Sequence, residues 1–255
     1  MDEHKKTTRV RGPFRATARA VGIIYLLGMV LGVAGNLLVL SVLEAPDPMV
    51  SIATNGTLLA VGAVLWLSTV VGDAAHGVLM FPVLRPHGER LAIAYLAGRI
   101  IDATVVALMT LLIVIQVPLG LAHRDAGTSQ GAVLEAASGV LVEAKDYAYE
   151  FGMIALAVSG LVLSLVLYRA RLLPRFLAGW GLLGYAVLLG GSVLQVLGVQ
   201  MNSVQVIPGG LWEVFIGVWL VVRGFSAAPL DARADERPAS TPVLPHQPLV
   251  AAATG

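Results

Sequence analysis

Six apolar stretches, at 20–43, 58–82, 91–119, 149–168, 176–199 and 207–222, constrain this chain more than any motif it carries. Each approaches or exceeds the ~20 residues a helix needs to cross ~30 Å of hydrocarbon at ~1.5 Å per residue, the sixth being the shortest. Hydrocarbon offers the backbone no hydrogen-bond partner, so a crossing segment satisfies its own N–H and C=O groups as a helix or joins a closed barrel. A barrel demands alternation of apolar and polar residues, and these runs show none. The expected fold class is an all-α membrane protein, a bundle of six transmembrane helices. Composition agrees: 57% of the 255 residues are hydrophobic and 13% charged, whereas about a quarter of an ordinary soluble domain is charged. The mean hydropathy is +0.81. Cysteine is absent, which excludes disulfides, iron–sulfur clusters and thiol catalysis. A net charge of +1 argues against a nucleic-acid partner.

The basic residues orient the bundle. Lys5, Lys6, Arg9, Arg11, Arg15 and Arg19 precede the first stretch; Arg85 and Arg90 follow the second; Arg169, Arg171 and Arg175 follow the fourth; Arg223 follows the sixth. The opposite loops hold Arg124 and Lys145. Cytoplasmic loops carry the excess of Lys and Arg, so both termini are expected in the cytoplasm. The first apolar run exceeds the ~7–15 residues of a signal peptide and no convincing cleavage site follows, so it is expected to remain as a span. Three regions result: a basic cytoplasmic segment at 1–19, the six-helix domain at 20–225, and a cytoplasmic tail at 226–255. The tail carries Pro229, Pro238, Pro242, Pro245 and Pro248 with few large apolar residues, a composition expected to stay disordered. Between the third and fourth stretches, Val133, Ala137, Val140 and Ala144 recur at helical spacing, which predicts an amphipathic helix lying on the outer membrane surface or capping the bundle.

Asp73, His76, Arg99, Asp102 and Glu213 lie inside apolar stretches, where an ionisable group is costly and tends to face a partner, a water-filled cavity or a transported species. Asp73 and His76 are three apart, as are Arg99 and Asp102, so each pair shares a helix face. A tight turn near His87 and Gly88 makes the second and third helices a hairpin. Residues whose numbers sum to about 175 then come level, Asp73 with Asp102 and His76 with Arg99. Glu213, about 15 Å from Arg223 by helix rise, falls at a similar depth. The cluster holds three carboxylates against one Arg, so it needs a proton or a cation for balance.

Other features are weaker. Glu143, Asp146 and Glu150 stand with Lys145, Tyr147 and Tyr149 at the outer mouth of the fourth stretch, either collecting cations or, more simply, complementing the dipole at a helix start. Gly28 and Gly32 form a GxxxG pair suited to helix packing, and Gly184, Gly191 and Gly198 line one face of the fifth helix. Asn36 and Gln195 suit interhelical hydrogen bonds.

Several segments together resemble the DUF4386 family of bacterial multi-pass membrane proteins. They are the opening Ala20-Val-Gly-Ile-Ile-Tyr-Leu-Leu-Gly with Gly35-Asn36, then Leu84-Arg-Pro, Tyr168-Arg-Ala-Arg-Leu-Leu-Pro174, and the Trp212-Glu213 run ending Arg223-Gly224. The resemblance implies a six-span protein and supplies no reaction. It places Asp73, Arg99 and Glu213 on charged positions of the family, and Ser159 where a His is common.

Three functional classes follow. A proton- or cation-coupled small-solute carrier or channel uses carboxylate and His groups as a relay, with Pro208, Gly209 and Gly210 loosening the helix beside Glu213. In a structural or sensor protein the same charges only fix packing, Asp73 pairing with Arg99, Asp102 bonding His76, and Glu213 neutral or reaching for the interface. An intramembrane metal-dependent enzyme is the third, with His76, Asp73, Asp102 and Glu213 as candidate ligands. No HExxH or GxSxG motif supports catalysis, and one intramembrane His excludes bis-His haem. No cofactor is expected. The partners are the lipid bilayer and a small solute or ion; the oligomeric state is open.

Overall fold

In the computed structural model, which describes residues 14–201 and 203–226, six helices run in chain order: α1 (Arg15–Leu43), α2 (Pro48–Leu84), α3 (Glu89–Arg124), α4 (Thr128–Arg169), α5 (Arg175–Val196) and α6 (Val206–Val222). No strand occurs among the described residues. Residues 1–13, with Lys5, Lys6, Arg9 and Arg11, and the Pro-rich tail from 227 onward lie outside them. Helices α1 to α5 are each long and apolar enough to cross a membrane, while α6, at 17 residues, is apolar but shorter. The protein is a multi-pass membrane protein.

Local chemistry sets the helix ends. Asp47 caps α2 by accepting from the Val50 N–H at 3.2 Å, and Pro48 begins the helix where a missing N–H costs nothing. The α2–α3 connection is the 3₁₀ turn Arg85–His87 followed by Gly88 at φ 148°. At the end of α5, Gly198 takes φ 89°, and the Val199 N–H reaches back to Leu194 O at 3.0 Å. Only glycine adopts that left-handed conformation without strain, and it stops the helix.

Successive helices pack side by side and α1 closes on α6, giving a ring of six. The ring has two ends. At the hairpin end lie the start of α1, the α2–α3 turn, the α4–α5 loop and the end of α6, joined where Ser226 N–H donates to Leu172 O at 3.0 Å. Arg15, Arg19, Arg85, Arg90, Arg169, Arg171, Arg175 and Arg223 all fall at this end. Two of them lie over aromatic rings, Arg175 over Tyr168 at 5.9 Å and Arg223 over Trp219 at 4.9 Å. The far end carries the α1–α2, α3–α4 and α5–α6 connections.

Two expectations change. The segment at 131–144, expected as a surface helix leading into the fourth span, is continuous with that span as part of α4, a single helix of 42 residues. That is roughly 63 Å at ~1.5 Å per residue, about twice a bilayer core. It packs on the end of α3, where Ser138 Oγ donates to Gln116 Oε1 at 2.7 Å and Gln116 Nε2 donates to Ser138 O at 3.2 Å, both residues buried. The start of α2 joins this stem: a Cβ at Gly120 of α3 would lie 2.5 Å from Ile52 Cγ2. The face turned to α3 carries Leu134, Ser138 and Val142, while Val133 and Val140 of the expected apolar face stay exposed at 68% and 66%.

Gly28 and Gly32 make no close helix contact. An added Cβ would meet nothing within 4 Å at Gly28 and only atoms at 3.9–4.0 Å at Gly32. The tight α1–α2 crossing sits at Gly35 and Gly62, where a Cβ would meet the facing carbonyl at 2.9–3.0 Å. On α5, Gly184 and Gly191 do face their neighbours, Gly209 at 3.0 Å and Gln205 at 2.2 Å, whereas Gly198 forms the turn.

Candidate ligand cavity

The ring encloses a cavity of 1050 Å³, with walls drawn from all six helices. Its position follows from how the helices are paired. Near the hairpin end, α1 and α6 touch through glycines: a Cβ at Gly22 would lie 2.5 Å from Gly217 O. Toward the far end they lose contact, because α6 begins only at Val206. A Cβ at Gly210 would lie 3.4 Å from Met29 Cε, so antiparallel pairing runs out near Val33 of α1.

The five charged residues singled out in the sequence all line this cavity. Arg99 is 5% exposed and ties α3 to α2 through its Nη2, which donates to Asp73 Oδ1. Its Nη1 lies 3.3 Å from Asp102 Oδ2, one turn along its own helix. Asp102 and His76 are each 1% exposed, and Asp73 is partly exposed. Glu213 accepts a hydrogen bond from Tyr185 Oη at 2.8 Å.

The pairing differs from the expected tiers by one turn. His76 Nδ1 is bonded to Tyr95 Oη, not to Asp102, and Asp102 is held by Arg99. Glu213 is held by Tyr185 rather than standing alone or reaching for the interface. The reason is the turn: α2 continues through Pro82 to Leu84, and the 3₁₀ turn centres on Pro86. Facing residues then sum to about 172, as in Asp73 with Arg99, Gly56 with Val117 and Gly120 with Ile52. A shift of three residues is nearly one helical turn, so each face is kept while each partner changes.

The aromatic residues around the cluster were not legible as site residues. Tyr95, His76, Tyr25, Trp212 and Tyr185 form an edge-to-face series with centroid separations of 5.9, 4.5, 6.2 and 5.3 Å. One ring comes from each of α3, α2, α1, α6 and α5, and together they close the cavity's inner end. Two were within reach of the sequence: Tyr95 is four residues before Arg99, hence on its face, and Trp212 adjoins Glu213. Trp212 is anchored by its indole N–H, which donates to Leu177 O at 2.6 Å.

The second acidic group is also part of the wall. Glu143, Asp146 and Glu150 lie in the middle of α4, far from its start at Thr128, so they complement no helix terminus. Glu143 and Asp146 are exposed, and Lys145 pairs with Asp146. Glu150 is 3% exposed with no partner for Oε2. With Glu44, which caps the end of α1, these residues make the far end of the cavity acidic. Asn36 faces the same space, while Gln195 accepts from Gln205 Nε2 at 3.2 Å at the α5–α6 connection. Ser159 does not line the cavity; it donates to Leu156 O at 2.9 Å and backs onto Gly98.

Seven carboxylates line the cavity against Arg99, Lys145 and His76. Four buried groups on its wall each keep an atom without a protein partner: Arg99 Nε, Asp102 Oδ1, His76 Nε2 and Glu150 Oε2. Buried polar atoms are nearly always satisfied, so such a concentration marks a place for a ligand or water. Among the described residues no three His, Asp or Glu side chains converge as a metal-ligand set. A family model described as a domain of unknown function, DUF4386, matches residues 20–224. No curated protein and no solved structure matches the chain.

Proposed function

The chain belongs to the DUF4386 family, and on that premise we propose that it is a six-span inner-membrane carrier that couples a small solute to protons or cations. One observation carries the reading: a single cavity joins the acidic far end to Asp73, His76, Arg99, Asp102 and Glu213. A bundle using these charges for packing alone has no need of that space. Both termini and the Arg-rich hairpin end face the cytoplasm, in keeping with the positive-inside rule, and the cavity opens to the other side. The Arg–aromatic pairs at Tyr168 and Trp219 support a membrane interface at the hairpin end.

The residues divide the work. Arg99 is a fixed counter-charge that keeps Asp73 paired and presents Asp102 with one oxygen free. Tyr185 orients Glu213 toward the same space, and Tyr95 fixes the His76 ring. A carboxyl that is neutral when the cavity is empty becomes an anion when a cationic solute arrives, releasing its proton; the reverse exchange frees the solute. The acidic far end raises the local concentration of cations before they reach the inner group.

Proteoliposomes holding the full chain test this. With sodium, potassium and choline chlorides present on the opposite side, an imposed pH gradient should decay faster than in protein-free vesicles, and Asp102→Asn or Glu213→Gln should remove the difference while thermal unfolding stays unchanged. Decay equal to that of empty vesicles, with no carboxyl band titrating between about pH 5 and 9, would overturn the carrier reading. Topology is checked separately: reporters fused after Arg171 and Arg223 should face the cytoplasm, and those at Asp47 and Arg124 the opposite side.

A further inference from the structure

We propose that the solute is an organic ammonium cation with an apolar body, admitted from the side between α1 and α6; this rests on the carrier reading above. The charge comes first. The walls hold seven carboxylates and two permanently cationic side chains, so an anion is repelled and a neutral solute leaves the excess unbalanced.

The cavity's size and lining exclude a bare inorganic ion. A hard cation is best held by several converging carboxylate oxygens, and no three His, Asp or Glu side chains converge that way among the described residues. At 1050 Å³ the space is that of a drug-sized ligand. Beside the carboxylates its walls carry Met29, Trp66, Val106, Met109, Met153 and Leu188, apolar surface that solvates a hydrocarbon body and not an ion.

Rings accompany carboxylates at both levels. Tyr25 and Tyr185 lie by Glu213, and Tyr149, next to Glu150 in the chain, packs edge to face on Trp66 at 6.2 Å. Ring faces with a nearby carboxylate are the chemistry that holds substituted ammonium groups, whose spread charge and greasy surface suit a π cloud better than water. The two levels offer such a cation one site near the opening and one at the inner end.

The side opening follows from helix lengths. Past Val33, α1 has no α6 turn beside it. Val33 and Leu37 of α1 and Ile207 and Leu211 of α6 line the cavity and are 51–63% exposed. These four apolar residues form an edge that a lipid-dissolved cation can cross without leaving an apolar surface.

Isothermal titration of the detergent-purified full chain with tetrapropylammonium tests the proposal. Saturable binding is expected, its outer site weakened tenfold or more in Trp66→Leu, retained in Trp66→Phe, and not displaced by equal sodium. Equal binding by Trp66→Leu and Trp66→Phe would remove the aromatic role and overturn the proposal, as would displacement by sodium. If tetrapropylammonium does not bind while the pH gradient still decays through Asp102 and Glu213, the solute class is wrong and the carrier reading stands. If neither occurs, both fall.

Discussion

The hairpin half and the far half of this ring are built from the same helices yet reach opposite outcomes. At the hairpin end, Ala18, Val21, Met80, Leu84, Leu167 and Leu220 belong to one buried cluster fed by all six helices, and most of its members are under 3% exposed. At the far end the buried cluster draws on α1 to α4 alone, through residues such as Val39, Ile52, Leu59, Met109 and Ile113. Helices α5 and α6 contribute nothing to it, and the cavity occupies the space they leave. The difference lies in contact chemistry. Glycines draw α1 and α6 together at one end, and the late start of α6 separates them at the other.

Substituting glycines tests this contrast most severely. Gly22→Ala places a methyl 2.5 Å from Gly217 O, a backbone atom that cannot turn aside. A loss of about 1–3 kcal/mol is expected, read as a lower thermal midpoint. Gly28→Ala, one and a half turns on, meets nothing within 4 Å and should be neutral or stabilising by up to ~1 kcal/mol through helix propensity. Equal losses at both positions would mean that the far half is as closely packed as the hairpin half.

Smaller in effect is the α2–α3 ion pair at the boundary between the halves. Asp73→Asn or Arg99→Gln alone leaves a buried partner uncompensated, and the double change should recover much of the loss. A coupling of about 1 kcal/mol is expected from a double-mutant cycle, since interhelical polar contacts in membranes are worth roughly 0.6–2 kcal/mol. Strict additivity would mean that the two side chains act independently.

The smallest perturbation probes the opening itself. The sequence has no cysteine, so a single introduced thiol is a clean reporter. Leu37→Cys should leave stability within about 0.5 kcal/mol and react readily with a maleimide. Leu167→Cys, at a position fully buried in the hairpin half, should not react in the folded protein. Comparable labelling of the two would remove the distinction between an open and a closed half.

The sequence determined what depends on single segments. Apolar length predicted the helices, the Arg-rich loops distinguished the two ends, and Asp73, His76, Arg99, Asp102 and Glu213 stood out because a charge in an apolar run is costly wherever its helix packs. Tertiary structure decided what depends on how helices meet. The 3₁₀ turn at Pro86 moved the hairpin register by nearly a turn, giving Arg99 to both Asp73 and Asp102 and leaving His76 to Tyr95. The stem of α4 packed its Ser138 face on α3 and left Val133 and Val140 outward, and Gly28 and Gly32 came to face a cavity. Helical periodicity encodes which residues share a face, but register and rotation between helices are set by contacts among residues distant in sequence. Whether the charged face met a packed core or an open space was therefore settled only where α1 and α6 part.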